Sequence, residues 1–366
     1  MGEEEGEGEV FAMKVGVLGT GNWGTTVAHL LAQGDSEVLL WGRSQIQVDE
    51  INKNRTNKKY TKDLKISSGV KATTSLQEVA TQCKIIFIVI PSQVFRFVAH
   101  DVGQWAGGDQ ILVSGTKGIE NTTYRFMTDI LREETCCRKI GVLSGPNIAD
   151  EINRNHPGGA VIASYYNEVI DSVMELFKLP LFKVYAHKDV RGVEIGGALK
   201  NIVAIASGIT TGLGYETNSK AFLVTRGLAE ISRFGKFFGA NPQTFLGLSG
   251  MGDIVTTCFS MSSRNNTFGR LLSQGKTVEH IQEEIGMVVE GVATTKAVYE
   301  ISKKFMIRMP ITEGLYKILF ENAPLAHVLK NLMEVRMKFE DEGYKQELSE
   351  IQHMLVDKYP NPEYLF

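Results

Sequence analysis

"MKVGVLGTGNWGTTVAHLL" (residues 13–31) decides the fold. Its first seven residues, 13–19, read as a strand, and "WGTTVAHLLAQ" (23–33) reads as an amphipathic helix. Between them Gly19, Gly21 and Gly24 keep a Gly-x-Gly-x-x-Gly spacing. The first glycine permits a tight turn. The second lets the backbone approach a pyrophosphate, and the third lets helix and strand pack closely. The helix start then offers free N–H groups and the positive end of its dipole to the phosphates. An ordinary glycine-rich turn has the same spacing; the strand–turn–helix context favours dinucleotide binding.

Outward from this unit, short apolar runs alternate with helical stretches. The runs are "EVLLW" (37–41), "IIFIVI" (85–90), "ILVS" (111–114), "IGVLSG" (140–145), "AVIAS" (160–164) and "FKVYA" (182–186). Near-continuous apolar strands between helices predict a parallel sheet covered on both faces. Near residue 190 the pattern changes to helical signals at 194–209, 220–235, 292–304 and, more weakly, 313–321. The expected organisation is an α/β Rossmann-type dinucleotide-binding domain at 13–190, followed by an all-helical substrate domain at 191–337. Residues 1–12 and 338–366 read as tails, with one further helix at 345–358.

Composition narrows the function. The 366 residues are 43% hydrophobic and 22% charged, with a net charge of −3, which argues against a nucleic-acid or membrane-surface binder. No 18-residue run is apolar and uncharged, so no membrane span is expected. The acidic start lacks a secretory signal, and the expected location is the cytoplasm. Cys83, Cys136, Cys137 and Cys258 form no Cys-x-x-Cys pair, and the seven histidines have no metal-ligand spacing, so no metal is expected.

Three positions invite chemistry. A fold that binds NAD usually ends its second strand with an acid that holds the ribose 2′-hydroxyl. Here "LLWGRS" puts Arg43 there, which could pair with the 2′-phosphate of NADP or simply be solvated. "LVSGTKGIE" places Lys117 after a strand, at the sheet end where such folds bind ligands. "EIGGALKNIVAIASGI" (194–209) buries Lys200 and its neighbour Asn201 in a helix of small and apolar residues. Desolvation pulls a lysine's pKa down toward the range of a general acid or base, and the glycines would let backbone approach a substrate.

The motifs "GTGNWGT", "IPSQ", "TKGIE", "SGPNIADEI", "EIGGALKNIVAIASGI", "GLSGMGDIVTTC", "SRNNTFGRLL" and "MVVEGVATTK" follow in order. With them, from about Met13 to about Met337, the chain resembles the soluble NAD(P)-dependent glycerol-3-phosphate dehydrogenases, bacterial type. The resemblance implies reversible reduction of dihydroxyacetone phosphate to sn-glycerol 3-phosphate with NAD or NADP, supplying the backbone of phospholipids. It implies Lys200 as the general acid/base, with Asp253 beside it and Asn201 orienting ligand. Gly19, Gly21, Asn22, Trp23, Gly24, Arg43, Lys117, Ala149, Arg264, Val288 and Glu290 would contact cofactor. Lys117, Gly145, Asn147, Lys200, Asp253, Ser263, Arg264 and Asn265 would contact substrate. Family members often dimerise, so a homodimer is expected. Two other readings compete: a β-hydroxyacid dehydrogenase, and a non-catalytic NAD(P)-binding redox sensor. The first expects an Asn four residues past the lysine, where this chain has Ala204. The second needs no buried lysine. With one arginine and no second base at the ribose, both cofactors should work within about tenfold of each other.

Overall fold

A computed structural model describes residues 13–34 and 36–334. The acidic start and the helix expected at 345–358 lie outside the described residues. The strands are β1 (Lys14–Leu18), β2 (Glu37–Trp41), β3 (Val70–Thr73), β4 (Ile85–Ile88), β5 (Ile111–Ser114), β6 (Lys139–Ser144), β7 (Gly158–Ser164) and β8 (Phe182–His187). Among them run α1 (Asn22–Leu31), α2 (Gln45–Asn54), α3 (Leu76–Gln82), α4 (Phe95–Gly103), α5 (Met127–Glu134), α6 (Ala149–Ile152) and α7 (Asn167–Leu176). The helical half contains α8 (Val190–Gly212), α9 (Thr217–Phe237), α10 (Asp253–Phe259), α11 (Arg264–Ser273), α12 (Val278–Ile285), α13 (Glu290–Lys304), α14 (Pro310–Phe320) and α15 (Leu325–Glu334).

The sheet order is β3-β2-β1-β4-β5-β6-β7-β8. Alternate residues of the central strands enter two cores, because successive side chains point to opposite faces. Ile85 and Phe87 of β4 join Val15, Val17 and Val27 on one side. Ile86 and Ile88 join Leu18, Phe95 and Leu112 on the other. This double burial explains the unbroken apolar runs in the sequence.

The sheet is not wholly parallel, which corrects the expectation. β1 to β6 are parallel, but β7 runs antiparallel to β6, and β8 follows β7 in parallel. The cause is the connection. After β6 the chain reverses at Gly145, whose φ is +145° and where a Cβ would lie 2.9 Å from Ala160 Cα. Only the one-turn α6 lies between β6 and β7, with no crossover helix to carry the chain back to the other end. β3, α10, α11, α12 and α15 were not expected. "IIFIVI" is a strand only to Ile88.

α8 is the axis of the helical half. Its glycines receive protein backbone, not the substrate expected there. A Cβ on Gly196 would lie 2.5 Å from the Ser249 carbonyl oxygen, and one on Gly208 would lie 2.1 Å from that of Asn266. In return, a Cβ on Gly269 of α11 would lie 2.0 Å from the Ile205 carbonyl oxygen, so α8 and α11 meet backbone to backbone. Among the described residues α8 alone has the length and hydropathy of a membrane span, yet nearly all of that surface is buried within the protein. The two halves are also joined near its start. Arg191 grips Asp129 through two hydrogen bonds of 2.9 Å, and Glu194 accepts from Thr128 N–H at 2.9 Å and its hydroxyl at 2.8 Å.

Because no rotamer relieves a clash with backbone, Gly208→Ala should destabilise the fold by about 1–3 kcal/mol, the usual cost of overpacking. Urea denaturation measures it, and a loss under about 0.5 kcal/mol, the range of a neutral surface change, would mean that α8 and α11 can separate without penalty.

Candidate active site

The functional cleft follows from the sheet order. β1 lies between β2 and β4, so successive crossovers leave to opposite sides and open a crevice at the carboxyl ends of the strands. A cleft of about 1060 Å³ occupies this place. It runs from Arg43 after β2, past the glycine loop after β1, to Lys117 after β5, and the helical half closes it with Lys200, Asp253 and Arg264.

The glycine loop divides its labour as its spacing suggests. Gly19 has φ +124°, and a Cβ there would lie 2.2 Å from the Val89 carbonyl oxygen. A Cβ on Gly24 would lie 2.0 Å from the Gly19 carbonyl oxygen. At Gly21 a Cβ would meet nothing within 4 Å. The fold itself therefore requires the first and third glycines, while the second opens onto the cleft. Gly21 is the N-cap of α1 and provides no side-chain cap, which leaves first-turn N–H groups for an anion. These features fit a dinucleotide pyrophosphate. Beside them Asn22 Nδ2 donates to Asp150 Oδ1 (2.8 Å), and Trp23 packs against Phe182 with its Nε1 unpartnered.

At the other end lies the charged centre. Asp253, the first residue of α10, is 1% exposed. One carboxylate oxygen takes the Lys200 ammonium at 3.0 Å, and the other takes Lys117. Lys200 Nζ also donates to Thr257 Oγ1 (2.6 Å), and Lys117 Nζ to the Gly145 carbonyl (2.8 Å). Burial pushes the Lys117 pKa down to about 8; Asp253 opposes that shift and the Lys200 charge adds to it. Asp253 is thus not the N-cap that a polar residue before a helix suggests; its side chain turns inward to the lysines.

The neighbouring asparagines are engaged. Asn265 Nδ2 donates to Asn201 Oδ1 (2.9 Å), while its Oδ1 accepts from Gly291 N–H (3.0 Å). This amide ties α8, α11 and α13 together, and one Nδ2 hydrogen remains for a ligand. Ser263 caps α11, its hydroxyl accepting from Asn266 N–H (3.3 Å), which still leaves that hydroxyl free to donate. Arg264 is exposed on the cleft wall, and its Nη1 donates to the Val288 carbonyl (2.9 Å). Glu290, at the start of α13, reaches across the cleft: Ser92 N–H donates to it at 3.0 Å and Ser92 Oγ at 2.5 Å. Burial raises the Glu290 pKa and those two donors hold it down.

Every residue singled out from the sequence lines this cleft except Gly145, which reaches it only through its carbonyl on Lys117. Asn147 and Ala149 stand on the wall beyond Gly145, and the Asn147 amide faces the Gly159 carbonyl. Sequence reasoning missed Thr257, Ser92, Gln47, Lys59 and Tyr60, all of which lie in or beside the cleft. Thr257 had a signal: it follows Asp253 by one helical turn and so shares its face. Lys59 had none, being one lysine among several in "NKNRTNKKYTK".

A doubly wound sheet whose nucleotide crevice ends in two lysines sharing one buried aspartate defines an NAD(P)-dependent oxidoreductase. The family model for the NAD-dependent glycerol-3-phosphate dehydrogenase N-terminus matches residues 14–170, and that for its C-terminus matches 189–330. The chain belongs to the NAD-dependent glycerol-3-phosphate dehydrogenase family. It is 44% identical over 324 residues to the NAD(P)+ glycerol-3-phosphate dehydrogenase of Macrococcus caseolyticus, covering 88% of this chain and 98% of that one. With the Staphylococcus epidermidis enzyme it shares 43% over 330 residues, 89% and 99% of the two chains. The crystal structure of glycerol-3-phosphate dehydrogenase from Coxiella burnetii superposes with a TM-score of 0.85 at 33% identity, covering 88% of this chain and 99% of that one.

Lys117 should titrate near 8. An unfolded lysine keeps its proton to about 10.4, so this group adds stability as pH rises through about 8 and withdraws it as pH falls. Asp253→Asn removes the charge that holds the proton on, and the Lys117 midpoint should move lower. NMR titration of ¹³C-methylated lysines reads this directly; an unmoved midpoint would mean that Asp253 carries no charge toward Lys117.

Proposed function

We propose that the protein reduces dihydroxyacetone phosphate reversibly to sn-glycerol 3-phosphate, using NADH or NADPH. The Lys117–Asp253–Lys200 array, at the inner end of a dinucleotide cleft, carries this reading. A bound nicotinamide supplies the hydride that goes to the ketone carbon. The chain must then deliver a proton to the carbonyl oxygen, and Lys200 Nζ is the group for it. Asp253 and Thr257 hold that ammonium in place by two contacts, of 3.0 and 2.6 Å. Lys117 adds a second cation where negative charge grows on the oxygen, and Asp253 can accept from a substrate hydroxyl.

The phosphate would be taken by Arg264, whose planar fork has donors beyond the one spent on Val288. Ser263 and the remaining Asn265 hydrogen would assist. Asn201 acts through Asn265, and Gly145, Asn147, Ala149, Val288 and Glu290 complete the walls. Residues 13–190 serve as the nucleotide domain and 191–337 as the substrate domain. A cytoplasmic homodimer that supplies glycerol phosphate for phospholipids accords with this reading.

The test is oxidation of NADH and NADPH with dihydroxyacetone phosphate, set against unphosphorylated dihydroxyacetone. Lys200→Ala should lower kcat by about 10²–10⁴, the usual worth of a general acid, with cofactor affinity kept; near-normal turnover would remove Lys200 from the proton step. Arg264→Ala should cost dihydroxyacetone phosphate about tenfold or more in kcat/KM, as befits lost charge-assisted hydrogen bonds. An equal loss for dihydroxyacetone would assign Arg264 to the cofactor or the fold.

A further inference from the structure

At the β2 end of the cleft two cations stand without an acid. Arg43 follows β2 directly, and Lys59 lies in the loop after α2; both line the cleft together with Gln47 and Tyr60. Neither makes an ion pair among the described residues. The three carboxylates that line the cleft are engaged elsewhere: Asp150 by Asn22, Asp253 by the two lysines, and Glu290 by Ser92. The Lys59 ammonium lies 5.2 Å from the centre of the Tyr60 ring, a contact that limits its wandering. Gln47 Nε2 is buried and has no acceptor.

Position says what these donors face. β2 adjoins β1 on the side away from β4 and β5, whose ends lead to Lys117 and the charged centre. A dinucleotide with its pyrophosphate on the glycine loop and its nicotinamide at the lysines must lay its adenosine toward β2. The ribose then meets Arg43, Lys59 and Gln47, with no carboxylate to accept from a 2′-hydroxyl. A hydroxyl cannot compensate two cations. A phosphate monoester, which carries about −1.5 to −2 charges at neutral pH, can.

We propose that Arg43 and Lys59 together bind the 2′-phosphate of NADP(H), and that Lys59 is the residue that turns near-parity between the cofactors into selection of NADPH. This rests on the reading of the cleft as a dinucleotide site given under Proposed function. It replaces the expectation from sequence, where Arg43 stood alone. One cation leaves the phosphate partly uncompensated, whereas two match its charge and so separate the two cofactors further.

The experiment is calorimetric binding of adenosine 2′,5′-bisphosphate and of 5′-AMP to the full chain, which needs no turnover. The bisphosphate should bind more than tenfold tighter. Lys59→Gln should reduce that ratio by about tenfold, the scale of one charge-assisted hydrogen bond, and Lys59→Arg should keep it. Lys58→Gln, at a neighbour outside the cleft lining, should leave the ratio unchanged and so separates a local contact from general charge. In turnover, Lys59→Gln should raise the KM for NADPH and spare both kcat and the KM for NADH. Equal affinity of the unaltered protein for both nucleotides, or equal weakening of both by Lys59→Gln, overturns the proposal. Nucleotide selection by Lys59 without turnover of dihydroxyacetone phosphate would support it and refute the proposed reaction instead.

Discussion

One buried carboxylate holds two lysines that come from opposite halves of the chain. Lys117 arrives on the loop after β5 and Lys200 on α8, and Asp253 binds both. Two ammonium groups brought this close in a desolvated place would repel each other and drive one proton off. The shared acid makes the arrangement tolerable without relaxing it, and the pKa of Lys117 near 8 records the residual tension. Removing one partner of a buried ionic group leaves the others uncompensated, which is costly. The relative placement of the sheet and the helical half therefore depends on Asp253 as much as on apolar packing.

Two further contacts cross between the halves at other places. Ser92 and Glu290 meet over the cleft, and Arg191 and Glu194 fasten the start of α8 to α5. Glu194 is the more exposed to conditions: burial pushes its pKa up to about 7, against the pull of Arg191. A carboxyl whose folded pKa exceeds its free value lends stability below the free value and loses it as pH rises through about 7. Lys117 runs the other way, adding stability as pH rises through about 8. The two seams thus respond to pH with opposite signs.

What the sequence disclosed was what local physics dictates. The glycine loop, the double-faced apolar strands and the single lysine in α8 each carry their reason within a few residues. The direction of β7 did not, because it depends on the length of a connection and on one glycine, whereas the strand itself reads the same either way. β3, "VKAT", is short and half polar, and only pairing with β2 makes it a strand. The α8 glycines suggested room for substrate, but small residues permit any close approach, and the approach here is by α11 and the Ser249 turn. At the site, Lys117 and Lys200 could be named separately; that one acid would hold both follows only from their meeting in space. Lys59 was hidden for the opposite reason, as one exposed lysine among neighbours of the same kind.

The packing of α8 also has a consequence in time. Its apolar surface is made before the helices that cover it: the chain passes Gly212 while α10, α11 and α13 are still unsynthesised. Until residues 264–273 exist, the Gly208 face has no backbone to meet, and the longest apolar helix among the described residues stands open to water. Burial that joins segments so far apart in sequence comes late in folding and leaves intermediates prone to association. The cation at the centre of the site is thus carried on the segment that a growing ribosomal product has most difficulty keeping in solution.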